Sequence, residues 1–213
     1  MNEFKYFSLQ NLSIGYNKKF PILEEVNLSL GAGEIIAVIG SNGSGKTTLI
    51  KTITGLIREL KGELNIHTST KMSLVPQIKE LKLGFPLTVE AALQLTSNIK
   101  IFGASDTDKE KFANEILVRM GIDTYKDILI KECSGGQLQK YLLARSLISD
   151  ANCIFLDEPL DALDQNSQKE IISLLSELTI RKNLSFFIIT HHITEEWLNH
   201  FSTVYKIQGR FLQ

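Results

Sequence analysis

The 213-residue sequence predicts an α/β fold with a mainly parallel sheet, a small antiparallel sheet near the N-terminus and an inserted helical region. Three observations carry this. Short apolar runs of strand length, at 35–39, 153–156 and 186–190, are interleaved with amphipathic helical segments, the pattern of a sheet covered by helices. Alternating apolar and polar residues over 4–14 and 26–30 read as two strands of an opening antiparallel sheet. Between residues 78 and 149 strand signals fade and helix signals dominate.

In chain order, the first strand carries Phe7, Leu9 and Leu12 among polar residues, and residues 15–19, which include Tyr16, read as a turn. A tyrosine there is either packing or a face on which a purine base could stack. Val26, Leu28 and Leu30 alternate with Asn27 and Ser29, so a second strand reaches the turn Gly31-Ala32-Gly33. The apolar run 35–39 then meets Gly40, Ser41, Asn42, Gly43, Ser44, Gly45, Lys46, Thr47 and Thr48, with a helix beginning at the end of this stretch. Strand, Gly-x-x-x-x-Gly-Lys-Thr and helix together form a P-loop. Its glycines let backbone N–H groups approach a polyphosphate, and the helix start adds a positive dipole end. Lys46 supplies charge to the outer phosphates, Thr47 a hydroxyl to Mg²⁺, and Thr48 a donor to an inner phosphate. The stretch implies binding of a nucleoside triphosphate.

Residues 55–62 read as a loop, 63–67 as a short strand with His67 solvated on it, and 72–75 as a buried strand ended by Pro76-Gln77. Residues 88–95 have helical content, and 97–106 read as a mobile loop. Thr107 and Glu110 form a capping box for a helix bearing Phe112, Ile116, Leu117 and Met120 on one side, which Gly121 closes. Ser134 is placed to cap a further helix over Leu138, Tyr141, Leu142 and Arg145. Gly135, Gly136 and Gln137 behind it make either a second anion-binding helix start or a plain hinge.

The run 153–156 delivers Asp157 and Glu158 at the carboxyl end of a buried strand. Paired carboxylates there are costly without a cation, and because adjacent strand residues point apart, Asp157 can serve Mg²⁺ while Glu158 faces a water beyond the terminal phosphate. Asp161 to Asp164 form a turn before a helix over 168–178, whose apolar face is Ile171, Ile172, Leu174, Leu175 and Leu178. The run 186–190 predicts a central strand ending at His191 and His192, and 204–207 with Gly209 a final hairpin-like strand. The spacing of His191, His192 and His200 matches no standard zinc pattern, and a histidine at such a strand end serves more simply as a phosphate donor.

The bulk composition narrows the classes. A net charge of −1 gives no electrostatic footprint for nucleic acid, and none is expected as a partner. Two cysteines, Cys133 and Cys153, fit a reducing compartment rather than a disulfide scaffold. The first residues lack the pattern of a secretory signal, and no apolar run approaches the about 18 residues of a membrane span, so a soluble chain is expected, with any membrane role exercised through a partner.

Taken together the motifs resemble those of the ATP-binding cassette (ABC) ATPases, over nearly the whole chain. Residues 40–48 match the Walker A loop, Gln77 the Q-loop glutamine, Ser134-Gly135-Gly136-Gln137 the family signature, 153–158 Walker B, Ala162-Leu163-Asp164 the D-loop, and His191 the switch histidine. The signature discriminates, since a P-loop and an acidic strand end are shared by many nucleotide hydrolases.

The resemblance implies one domain, 1–213, with 1–77 and 150–213 forming the nucleotide core with its β-subdomain, and 78–149 a helical signature subdomain. It also implies a head-to-tail dimer in which each ATP lies between the Walker A loop of one copy and the signature of the other. Tyr16 would then stack on adenine, while Lys46 and the loop amides hold phosphates and Thr47, Gln77 and Asp157 arrange Mg²⁺. Glu158 would polarise the attacking water, His191 and the partner copy's signature would contact the terminal phosphate, and Asp164 would couple the sites.

Two residues depart from the family pattern: Cys133 stands where Leu is usual before the signature, and Asp161 where Ser usually opens the D-loop. The expected role is the energising subunit of a transporter, cytoplasmic on the inner face of the cell membrane, working with a polytopic permease and, in an importer, a solute-binding protein. Pro86-Leu87-Thr88-Val89 is similar to the matching segment in zinc and manganese importers. An exporter cassette and a soluble, non-transport ABC ATPase are the alternatives.

Overall fold

The computed structural model describes residues 4–81, 84, 86–97, 101–102 and 107–213. Most of the expected loop 97–106 therefore lies outside the described residues.

Two sheets form. The first is antiparallel, in the order β2 (Leu23–Gly31), β1 (Lys5–Ile14), β4 (Lys61–Ile66). In β1 the residues Leu9 and Leu12 are both buried although three positions apart, which strict alternation forbids. A bulge resolves this: Asn11 takes φ 48°, the pairing with β2 shifts between Leu9 and Leu12, and Asn11 N–H donates to Asn27 Oδ1 at 2.9 Å.

The second sheet has the order β5 (Met72–Val75), β6 (Cys153–Asp157), β7 (Ser185–Thr190), β3 (Ile35–Ile39), β8 (Thr203–Gln208), β9 (Phe211–Leu212). Its strands run parallel except β9, which pairs antiparallel with β8. The near-continuous apolar runs of β3, β6 and β7 follow from burial on both faces. Successive residues enter different cores: Ile154, Leu156, Phe186 and Ile188 pack with the helices on one side, while Phe155, Phe187 and Ile189 pack with the antiparallel sheet and α1 (Lys46–Ile53) on the other. Phe7 of β1 meets Phe155 and Phe187 at ring-centroid distances of 5.7 and 6.0 Å, and this cluster joins the two sheets.

The helices between β5 and β6 are α2 (Val89–Ser97), α3 (Asp108–Arg119) and α4 (Gly135–Leu147), followed later by α5 (Gln165–Lys182) and α6 (Glu195–Leu198). The capping box of Thr107 and Glu110 opens α3. Ion pairs tie α3 to α5: Arg119 chelates Glu177 at 3.0 and 2.8 Å, and Arg181 chelates Glu115 at 2.7 and 2.9 Å.

Four expectations need correction. β5 is half-buried rather than buried, because it forms the sheet's edge. Gly62 lies within β4 rather than in a loop; its φ of +90° lets the strand pass over Asn11, whose carbonyl oxygen would stand 2.3 Å from a Cβ there. The helix placed over 168–178 spans Gln165–Lys182, since Asp164 caps its start and Asn183, at φ 55°, ends it. His67 lies just past the end of β4, bonded to Ser69.

Because Phe155 is fully buried between the sheets, Phe155→Ala should lower unfolding free energy by about 3–5 kcal/mol, read as a fall in urea midpoint at unchanged slope.

Candidate functional site

The functional side chains gather at the carboxyl edge of the parallel sheet. The register places Ile39 beside Thr190 and Asp157 beside Ile189, so β3, β6 and β7 end level, and Gly40, Glu158 and His191 leave the sheet together. The P-loop follows β3. Gly45 caps α1 at φ 98°, and a Cβ on it would stand 2.5 Å from Ile22 Cγ2, so neither its backbone angle nor its surroundings admit another residue.

Lys46 is buried. Its Nζ donates to the carbonyl oxygens of Gly40 at 2.8 Å and Ser41 at 3.0 Å, and lies 3.8 Å from Glu158 Oε1. Thr47 Oγ1 donates to Asp157 Oδ2 at 2.8 Å, closing a gap of 110 residues along the chain. Asp157 is buried at the end of β6. Glu158 has left the strand: its φ is 50°, a left-handed conformation rare for this residue type, and its N–H continues the ladder to Ile189 O at 2.9 Å. The two carboxylates take different partners, Thr47 for Asp157 and Gln77 for Glu158. Gln77 Nε2 donates to Glu158 Oε2. Burial first, and then the neighbouring Asp161 carboxylate, hold the Glu158 pKa above the usual carboxylate range. His191 is half exposed, with Nδ1 3.6 Å from Asp161 Oδ1.

A cavity of about 530 Å³ is bounded by Lys46, Thr47, Gln77, Glu158, Asp161 and His191 together with Asn42, Gly43 and Thr48, while Asp157 lies behind its wall, bonded to Thr47. Its donors suit a polyphosphate and a hard cation. Ser44 Oγ is buried in the loop without a hydrogen-bond partner among the described residues, and a Cβ on Gly43 would meet open space. The Thr47 hydroxyl, the Asp157 carboxylate and the nearby Gln77 offer the oxygen ligands that Mg²⁺ prefers.

Other expected residues lie apart. Tyr16 is 73 % exposed on its turn and does not line this cavity. Ser134 caps α4 in a capping box with Gln137: Gln137 N–H donates to Ser134 Oγ at 3.3 Å, and Ser134 N–H to Gln137 Oε1 at 2.9 Å. Gly136 and Gln137 border a separate depression with Ala162, Leu163 and Asp164, while Gly135 borders a neighbouring cavity of about 460 Å³ shared with Gln77 and Glu158. Asp164 accepts from Asn166 N, Ser167 N and Ser167 Oγ, so its carboxylate is committed to capping α5. Cys133 packs half-buried against the helical core, filling the apolar place before the signature, and burial raises its thiol pKa.

The structure adds three residues to those singled out for the site. Asp161 stands beside Glu158 and His191, Lys79 lines both cavities, and Gln139, buried one turn beyond Gly135 on α4, lines the second. The spacing from Gly135 to Gln139, which returns to one helix face, was the available signal for the last.

Residues 23–161 match the ABC transporter family. The chain is 31 % identical over 211 residues to the manganese transport system ATP-binding protein MntB of Bacillus subtilis (strain 168), covering 95 % of this chain and 83 % of that one. It is 34 % identical over 186 residues to the zinc import ATP-binding protein ZnuC of Wigglesworthia glossinidia brevipalpis, covering 87 % and 76 %. Its fold is similar to that of a bacterial ABC transporter cassette in its dimeric structure, with a TM-score of 0.79 at 25 % identity, covering 97 % and 96 %. No helix among the described residues is long and apolar enough to cross a membrane. Family match, relatives and fold agree with the P-loop, the acidic strand end and the signature helix: the chain belongs to the ABC transporter family, as one of its ATPase cassettes.

Proposed function

We propose that this chain, with Mg²⁺ and a second copy of itself, hydrolyses ATP on the inner face of the cell membrane to drive a permease that imports a divalent metal ion. One observation carries the catalytic part: Lys46, Thr47, Gln77 and Glu158 line one cavity at the sheet edge, with Glu158 in reach of both Lys46 and Gln77, and Asp157 bonded behind the wall to Thr47. The manganese and zinc transport assignments of the relatives support the metal-import part, and the dimeric state of the similar cassette supports the pairing.

The residues divide the work by position. Lys46 exchanges the carbonyls of Gly40 and Ser41 for phosphate oxygens, and the 43–48 amides surround the chain of phosphates. Thr47, Gln77 and Asp157 would hold Mg²⁺, which when bound neutralises charge on the transferred phosphoryl group. Glu158, with its raised proton affinity, accepts a proton from the attacking water, and Gln77 fixes the carboxylate's direction. His191 lines the same cavity and serves as a donor to the terminal phosphate. Tyr16, outside the cavity wall, is available to the base of the nucleotide. Ser134, Gly135, Gly136 and Gln137 belong to the partner copy's site, because in one chain Ser134 lies outside the P-loop cavity. Residues 78–149 would meet the permease, and in an importer a solute-binding protein would deliver the ion to it.

Lys46→Ala should abolish nucleotide binding, read by fluorescence of a labelled ATP analogue. Glu158→Gln should lower kcat by about 10²–10⁴-fold and accumulate an ATP-bound dimer on size exclusion with light scattering; wild-type turnover in this variant would refute the assignment of the base. Ser134→Arg should retain most ATP binding and lose hydrolysis, whereas normal turnover would exclude the shared site. Co-purification with a polytopic membrane protein, and ion-dependent stimulation of hydrolysis in the reconstituted pair, test the transport role.

A further inference from the structure

The turn that joins β6 to α5 is held by a side chain to which no motif extends. Gln168 lies near the start of α5, where Cα–Cβ bonds lean toward the helix N-terminus, so its side chain reaches back to residues 160–163. Its Nε2 donates to Leu160 O and to Leu163 O, both at 3.0 Å. A glutamine amide nitrogen carries two hydrogens, and these bonds use both. Leu163 N–H also donates to Leu160 O at 3.1 Å, and the Leu160 and Leu163 side chains are buried in the core shared with α4. The leucines set how deep the turn sits, and the amide sets which way its peptide planes face.

The tip of this turn meets the signature helix of the same chain. A Cβ added to Gly135 would stand 3.6 Å from Ala162 Cβ, and one added to Gly136 would stand 3.3 Å from Ala162 O. Ala162 borders two depressions, with Gly135 lining one and Gly136 and Gln137 the other. Ala162, Ser134 and Gly135 are exposed, so a surface ridge of small residues stands on buried anchors.

The clamp has two routes to the reaction, through the chain's own Glu158 or through its signature. Glu158 is already fixed on its own account, by Gln77 at the carboxylate and by Ile189 O at the backbone N–H. Gly135 and Gly136 carry no side chains, so the backbone of the turn is what packs against them. The signature route is therefore the one that depends on Gln168.

We propose that Gln168 is a positioning residue: by clamping the carbonyls of Leu160 and Leu163 it sets Ala162 against Gly135 and Gly136, and so holds the signature of its own chain in place to close on the ATP of the partner copy. The functional half of this inference rests on the shared-site reading given above. A chain without the clamp still holds nucleotide in its own P-loop and fails as a partner.

The test uses the full chain in two arms. Without nucleotide, amide hydrogen exchange is followed by mass spectrometry over peptides covering 134–138 and 160–164. Gln168→Met, which keeps the reach of the side chain and removes its donors, should speed exchange in both segments about tenfold, the scale of one lost hydrogen bond. Gln168→Lys, whose ammonium has donors for both carbonyls, should restore protection. In the second arm the same changes are placed in the Glu158→Gln chain, and pairing with Mg-ATP is read by size exclusion with light scattering. Gln168→Met should leave ATP binding by the monomer unchanged while raising the ATP concentration needed for pairing at least about tenfold, and Gln168→Lys should pair as Glu158→Gln alone does. Unchanged exchange over 134–138 in Gln168→Met overturns the proposal, and so does pairing at the unaltered ATP concentration. Loss of ATP binding by the Gln168→Met monomer overturns it as well, by placing the effect on the chain's own P-loop. Failure of Gln168→Lys to restore protection and pairing would reduce the effect to general packing and likewise refute it. If Glu158→Gln alone does not pair, the shared-site reading falls, and the exchange arm still decides whether Gln168 holds the signature.

Discussion

In-register parallel pairing of β6, β7 and β3 is the constraint on which the rest of the site depends. β7 is buried along its whole length between the other two strands, so its hydrogen-bonding edges are both used and its side chains are divided between two cores. A slip of one residue would turn Phe186 and Phe187 onto the wrong faces, which makes the register costly to change. Since the three strands end level, the P-loop, the acidic pair and His191 emerge within reach of one another. The helix starts then add their own backbone donors to that edge.

That edge concentrates buried charge. Lys46 and Asp157 are both nearly inaccessible, and each is tolerable only because it has partners: loop carbonyls for the ammonium, and the Thr47 hydroxyl for the carboxylate. These are partners that the phosphates of a nucleotide can replace. Glu158 is the extreme case, with a left-handed backbone, a raised proton affinity and a glutamine clamp on one oxygen. Strain and perturbed protonation coincide at the residue proposed to handle the proton.

Apolar packing of α3, α4 and α5 is continuous with the main core, and α3 and α5 are in addition bridged at the surface by the chelated pairs Arg119–Glu177 and Arg181–Glu115. Exposed pairs contribute modestly one at a time, but bidentate geometry gives them directional specificity, which fixes how two helices face each other.

Much of this was legible in the residues. The three fully buried strands announce themselves as apolar runs, the capping boxes at Thr107 and Ser134 as fixed spacings, and the P-loop as glycines between strand and helix, because each depends on local chemistry within a few residues. Local chemistry also settles what kind of ligand those glycines, the lysine and the acidic pair can hold. The bulge at Asn11, the half-buried edge position of β5 and the full length of α5 were not legible in this way, since each is decided by the strand, sheet or cap that a segment meets. That Thr47 and Asp157 meet came only through the family resemblance, and the approach of Asp161 to His191 could not be read along the chain at all. The sequence by itself determined the fold class, the family and the chemical types present. Only the tertiary structure decided which of those groups share one cavity, because that depends on strand order and register, which bring together residues more than a hundred positions apart.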